Sequence, residues 1–227
     1  MARKPYERAI EIARRYVEAA YERGRAPPSH DLDHVVRVVS LCRWLSKELA
    51  LGARERKLLE VAAWLHDVAI AEFGTKERHA ERSAEIAARV LEGLLAEEDL
   101  AVVVSAVREH SWGGRTTPSS VVSAVLQDAD RLDALGAVGL YRALVYGAFK
   151  GRRLYHPEDP FAEDREPDDD SYTIDHFFAK LLRLKDSMNT EPARKEAERR
   201  TEIMRAFLTE LRRELNLESS PGRNPRV

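Results

Sequence analysis

Cysteine is almost missing from this chain. Cys42 is the only one in 227 residues, which rules out an internal disulfide framework and a thiolate cage for structural zinc, leaving an apolar core to hold the fold. Also missing is any apolar run approaching the roughly eighteen residues that cross a bilayer, and no apolar signal segment opens the sequence. Neither secretion nor membrane insertion is indicated, and a cytoplasmic location is expected. Gln127 is the sole glutamine, while arginine and glutamate are abundant, a balance that hints at heat adaptation and says nothing about chemistry. Charge of one sign does not dominate either. With 37 basic residues against 39 acidic ones and a formal net charge of -2, no general attraction to duplex nucleic acid is expected. Finally, no stretch alternates apolar and polar residues between turn signals, as a half-buried strand would. An all-α fold follows.

What is present reads as amphipathic helices in a single domain over residues 1–218, with 44% hydrophobic residues supplying one substantial core. A first helix is expected from about Pro5 to Arg23, ended by Gly24 and Pro27-Pro28. A second opens at Ser29-His30-Asp31 and carries Val35, Val36, Val38, Val39, Leu41 and Leu45 on a broad apolar face, with Cys42 as a small core residue. A third is expected from about Arg54 to Glu72, a fourth from Lys76 to Leu95 and a fifth from Glu97 to His110. After a Gly- and Pro-containing loop around Trp112, a sixth runs to Leu135, and Gly136 and Gly139 interrupt a further apolar stretch to Phe149. Residues 150–171 form a long irregular loop, a candidate lid. Helices over Tyr172–Ser187 and about Glu191–Leu215 close the fold, the last with Thr190 as its N-cap. The tail 219–227 is expected to be disordered.

The chemistry concentrates in a few positions. His66 and Asp67 end an apolar helical stretch that should be buried, and burying ionisable groups is costly unless they are paired or hold a cation. Neighbours on a helix point about 100° apart, so this pair can wrap one side of an ion while other helices supply further ligands. Imidazole nitrogen with carboxylate oxygen suits Mn²⁺ or Mg²⁺ best, with Fe, Zn, Ni and Co also admissible. Read from the residues alone, this is a buried helical metal site, and Asp128, Asp130 and Asp133 compete to complete it.

Three blocks sharpen that reading: Ser29-His-Asp-Leu-Asp-His34-Val-Val-Arg37-Val, then His66-Asp67, then Asp128-Ala-Asp130-Arg-Leu-Asp133. In this order they resemble the HD-domain metal-dependent phosphohydrolases, and are similar above all to small bacterial and archaeal members related to nucleotide pyrophosphohydrolases. His79-Ala-Glu-Arg-Ser83, Leu154-Tyr155 and His176-Phe-Phe-Ala-Lys180 extend the likeness over nearly the whole chain. The resemblance implies an HD-type helical bundle with additional C-terminal helices, and an ion held by His34, His66, Asp67 and Asp130. It implies hydrolysis of a phosphoester or phosphoanhydride of a small phosphorylated molecule, with release of pyrophosphate from a nucleoside triphosphate as the favoured form.

Catalytic roles then fall to Asp67, which can orient a water, and to His79 or His110 as proton donor. Both histidines sit at helix boundaries, where capping or solvation also explains them; facing the ion, they bind phosphate or complete a second metal site. Arg37, Arg131 and Lys180 are the candidate phosphate contacts, with surface ion pairs as the bland alternative. Asp133 is expected as a structural acceptor for helix ends or arginines, His30 as part of a helix cap, and His156 and His176 as packing or loop residues. Some nucleotidase relatives carry an acidic residue three positions after the His-Asp pair; here that position is Ile70, and Glu72 is the substitute base. Two other classes fit the same motifs: a di-iron oxygenase and a non-catalytic, metal-dependent nucleotide sensor.

Overall fold

The computed structural model describes residues 3–111 and 116–215; Trp112 and the tail from Ser219 lie outside them. Among the described residues the fold is all-α, with ten helices, one 3₁₀ segment and no strand. No single helix among the described residues is long and apolar enough to cross a membrane. The chain divides into two compact units, one built from residues up to Asp133 together with Asn189–Ala193, the other from Ala134–Met188 and the chain from Arg194.

The first unit contains α1 (Arg3–Tyr21), α2 (Leu32–Glu48), α3 (Ala53–Leu65), α4 (Val68–Phe73), α5 (His79–Val90), α6 (Glu97–Glu109) and α7 (Val121–Asp133). Asp31 caps α2 by accepting from the His34 N–H at 2.9 Å. Its face of Val35, Val38, Val39, Cys42 and Leu45 is buried, as the periodicity requires. Cys42 is a buried core thiol, pushed up in pKa by burial and so unreactive. Helix α3 lies at the centre, packed by α1, α2, α6 and α7. From Leu58 to Leu65 only Glu60 escapes burial, and Ala62 and Ala63 are small enough to admit neighbours from several sides.

The expected single helix from Arg54 to Glu72 is in fact two. His66 keeps helical dihedrals, but Asp67 leaves them at φ -111°, ψ 13°, and the Ile70 N–H bonds back to the Asp67 carbonyl in a tight turn at 2.9 Å. No glycine or proline marks the break, and Val68 to Ala71 are as buried as the helix before them. Gly74, at φ +69°, ends α4 through its N–H to the Ile70 carbonyl. Helix α7 is secured by its own buried carboxylate. Asp128 accepts from the Asn189 N–H at 2.7 Å and from the Thr190 N–H and hydroxyl at 2.8 and 2.7 Å.

The second unit comprises α8 (Gly136–Phe149), α9 (Asp175–Ala179), a 3₁₀ segment (Leu181–Ser187) and most of α10 (Glu191–Glu214). Gly136 takes φ +73° and starts α8. Gly139 does not interrupt that helix; a Cβ there would lie 2.2 Å from the Ala134 carbonyl oxygen, so the position demands the absence of a side chain. The helix expected over Tyr172–Ser187 is shorter and breaks at Lys180, whose φ -136°, ψ -60° is non-helical. Residues 150–174 contain no helix, yet they are organised around Arg165. Its guanidinium ion-pairs with the fully buried Asp175, donates to the Asp159 carbonyl at 3.0 Å and lies 5.2 Å from the Tyr172 ring centre.

Candidate metal centre

Six side chains from five places in the first unit converge on one point. His34 is in the first turn of α2, His66 and Asp67 form the α3–α4 break, His79 opens α5, His110 follows α6, and Asp130 is on α7. The Nε2 atoms of His34 and His66 are 3.3 Å apart. Asp67 Oδ2 lies 3.4 and 3.7 Å from them, and Asp130 Oδ1 lies 3.5 and 4.0 Å away. Ligand atoms about 2.1 Å from a shared ion sit roughly 3.0–3.4 Å apart at adjacent octahedral or tetrahedral positions, so small movements would close this set on a cation.

The other face of the same carboxylate meets two more imidazoles. Asp67 Oδ1 is 3.3 Å from His110 Nε2 and 3.8 Å from His79 Nε2. Metal-ligating geometry is therefore found twice, in His34, His66 and Asp67 and again in Asp67, His79 and His110. The shared residue is Asp67.

Hydrogen bonds at the far side of each ring decide which atom faces inward. His66 Nδ1 donates to the Ala63 carbonyl at 2.8 Å, His79 Nδ1 to that of Lys76 at 2.8 Å, and His110 Nδ1 to that of Val107 at 2.7 Å. A carbonyl only accepts, so each Nδ1 carries the proton and, in the neutral ring, each Nε2 presents a lone pair. His34 Nδ1 reaches the Asp133 carboxylate at 2.8 Å, with the same result. Two such lone pairs 3.3 Å apart repel, and the buried Asp67 Oδ1 has no hydrogen bond of good geometry. A cation between them relieves both, and the residues fit a divalent metal.

The electrostatics agree. Burial pushes His66 down to about 4, outweighing the attraction of Asp67, so the ring is neutral near pH 7. Burial works to raise Asp67, but the facing imidazoles overcome it and hold the carboxyl well below the usual range. His34, His66 and His110 are sealed, whereas Asp130 is 24% and His79 18% exposed along their side chains. The centre opens on that side.

The remaining expected residues are placed differently. Arg37 turns its Nε and Nη2 to Asp133, at 2.7 and 3.2 Å, so the expected acceptor role of Asp133 extends to both an arginine and a metal-site histidine. Sequence reasoning missed that link because it spans 96 and 99 positions. Arg131 is buried in α7 and donates to Gln127 Oε1 at 2.9 Å. Lys180 belongs to the second unit, at the end of α9. Glu72 is engaged by other partners: it accepts from the Tyr16 hydroxyl of α1 at 2.5 Å and from Arg23 in the following loop at 3.5 Å. His30 packs edge-on against His34 at 5.5 Å, and Asp31 does the capping.

Residues 31–135 match the HD domain family model. YpgQ of Bacillus subtilis is 32% identical over 193 residues, covering 82% of this chain and 84% of YpgQ. The chain belongs to the HD-domain family. A crystal structure of YpgQ with ADP superposes with a TM-score of 0.69 at 27% identity, covering 96% of this chain and 98% of that one. An HD-superfamily hydrolase from Bacillus thuringiensis gives 0.69 at 32% identity over 94% and 100%. This protein is a metal-dependent hydrolase, and the blocks around His34, His66-Asp67 and Asp130 fall within the matched region.

Proposed function

We propose that this protein hydrolyses a phosphoanhydride of a nucleotide, with a nucleoside triphosphate as substrate and pyrophosphate as the released group. The observation that carries the reading is the inward convergence of four imidazole Nε2 atoms on the two faces of Asp67, each ring fixed through its Nδ1. His34, His66, Asp67 and Asp130 would hold the ion, Mn²⁺ or Mg²⁺ by donor chemistry, which leaves Asp67 Oδ1, His79 and His110 for the proton chemistry. A divalent ion held there supplies Lewis acidity toward a phosphoryl oxygen and a lowered pKa for water.

The chain's own groups account for the rest. Asp67 Oδ1, buried and without a good hydrogen bond, can accept from an attacking water and orient it. His110 resists the lowering effect of burial because Asp67 faces it, and its pKa is raised, which suits a proton holder. His79, more open to solvent, can pass a proton to the departing oxygen. Arg37 acts through Asp133 to set the His34 ring, while Arg131 is proposed to meet phosphate charge. The ADP bound in YpgQ supports a nucleotide as ligand.

Incubating the purified protein with Mn²⁺ and a panel of nucleoside triphosphates, then resolving products, is expected to yield monophosphate and pyrophosphate. Absence of turnover on every phosphoester and phosphoanhydride tried would overturn the proposal. The shared Asp67 also favours a second reading, a di-iron oxygenase; two irons per purified chain and substrate-dependent oxygen uptake would select it.

A further inference from the structure

Helices α2 and α3 run out from the metal centre and back to it. His34 in the first turn of α2 meets His66 at the end of α3, so the last turn of α2 and the first turns of α3 lie together at the opposite end. At 1.5 Å per residue, Lys47 is roughly 20 Å from His34 along α2, and Arg54 roughly 18 Å from His66 along α3. That far end encloses a cavity of about 670 Å³ against the start of α1. Its size is that of a small-molecule site.

The walls of this cavity are cationic. Arg43 and Lys47 of α2 and Arg54, Arg56 and Lys57 of α3 line it, against two carboxylates, Glu7 and Glu60. Three of the five cations are anchored: Arg43 Nη2 to Glu60 at 2.6 Å, Lys57 to Glu7 at 2.8 Å, and Arg54 Nε at 2.7 Å to Asp99, which is not part of the wall. Asp99 also accepts from the Tyr6 hydroxyl at 2.6 Å, which fixes the Tyr6 ring as one side of the cavity. Among the described residues no carboxylate pairs with Lys47 or Arg56. Surplus positive charge therefore collects in one concavity of a chain whose formal net charge is -2. A solvated ionic surface would space such unpaired cations apart; gathered around a concavity, they raise the local potential and concentrate an anion there.

We propose that this cavity binds a small molecule carrying two or more phosphates, at a site separate from the metal centre. Arg43 is held through Nη2 alone and keeps the rest of its fork for phosphate oxygens, which a planar guanidinium matches two at a time. Lys47 and Arg56 supply the charge that no carboxylate neutralises, and the tethered Tyr6 ring offers a flat wall for a base. A phosphate chain held at the metal does not span the length of α2 or α3, so the ligand of this cavity is a second molecule. The site does not depend on the hydrolase reading.

The test is calorimetry of inorganic tripolyphosphate and, in parallel, ATP on EDTA-treated full-length protein. Wild type is expected to bind both; equal affinities mean that the phosphates alone are recognised, and tighter ATP binding means that the base adds contact at Tyr6. The double variant Lys47→Gln/Arg56→Gln removes two exposed side chains that pair with no carboxylate, so it should keep the wild-type melt and Mn²⁺ content and weaken tripolyphosphate binding at least tenfold. A control, Arg15→Gln/Arg213→Gln, removes the same charge at positions 72% and 73% exposed and should bind within twofold of wild type. No binding by wild type, affinity within twofold of wild type in the cavity variant, or an equal loss in the control would overturn the assignment. His66→Ala separates this site from the metal centre: it should lose hydrolysis and keep tripolyphosphate binding, and loss of that binding would place the anion at the metal centre instead.

Discussion

Replacing Asp133 by asparagine tests whether a residue that touches no metal governs the metal. Asp133 is 1% exposed, and its donors include His34 Nδ1 at 2.8 Å, Arg37 Nε at 2.7 Å and Arg37 Nη2 at 3.2 Å. An amide of the same shape has one accepting oxygen. Whichever way it turns, either the imidazole or the guanidinium faces an N–H instead of an oxygen. A hydrogen bond involving a charged group contributes about 1.5–3 kcal/mol, and disturbing the partner of a ligating histidine weakens metal binding about 10–100-fold. Those two magnitudes describe the same loss, since a tenfold change corresponds to about 1.4 kcal/mol. Titration of metal-free protein with Mn²⁺ should therefore show a Kd about 10–100-fold above wild type for Asp133→Asn. Arg37→Gln, which leaves the carboxylate to His34, should show a smaller change. Mn²⁺ binding within twofold of wild type in Asp133→Asn, or an equal loss in Arg37→Gln, would refute the orienting role.

Other perturbations have equally definite outcomes. In EDTA-treated protein the unfolded chain protonates His66 near its ordinary 6.5 while the folded state resists until about 4. Its contribution is therefore complete above pH 6.5 and is lost as pH falls toward 4, by about 3 kcal/mol at 1.36 kcal/mol per unit; urea denaturation across that range measures it, and an unchanged slope in His66→Asn would contradict it. Asp128→Ala strips acceptors from the Asn189 and Thr190 N–H groups and the Thr190 hydroxyl, and should lower unfolding free energy by about 2–4 kcal/mol; a loss under about 1 kcal/mol would show that water replaces them freely. Gly139→Ala forces a methyl against the Ala134 carbonyl and should lower the melting temperature by several degrees, about 1–3 kcal/mol of overpacking. A melt equal to wild type would mean that α8 shifts without penalty.

The helices were legible because each buries one face, and a 3.6-residue period writes that face into the sequence. The break at His66-Asp67 was not legible, because Val61 to Ala71 remain apolar on both sides of it and it contains neither glycine nor proline. The turn is specified by tertiary packing around α3. The ordering of residues 150–174 was hidden for a related reason: proline and aspartate content reads as an irregular loop, while the organising pair, Arg165 and Asp175, is only an ion pair once the chain has folded back. At the metal centre, residue types and order pointed to His34, His66, Asp67 and Asp130, but the double use of Asp67 needed geometry. So did the engagement of Arg37 by Asp133.

Three of the four inward-facing histidines are aimed by the carbonyl of the residue three places earlier: His66 by Ala63, His79 by Lys76 and His110 by Val107. Main-chain oxygens survive every amino-acid replacement, so these rings keep their bearing whatever side chains drift around them. His34 alone takes its bearing from another helix, through Asp133. Natural variation far from the centre can thus tune ion affinity by one route, the α2–α7 contact, while the other three arms stay indifferent to it.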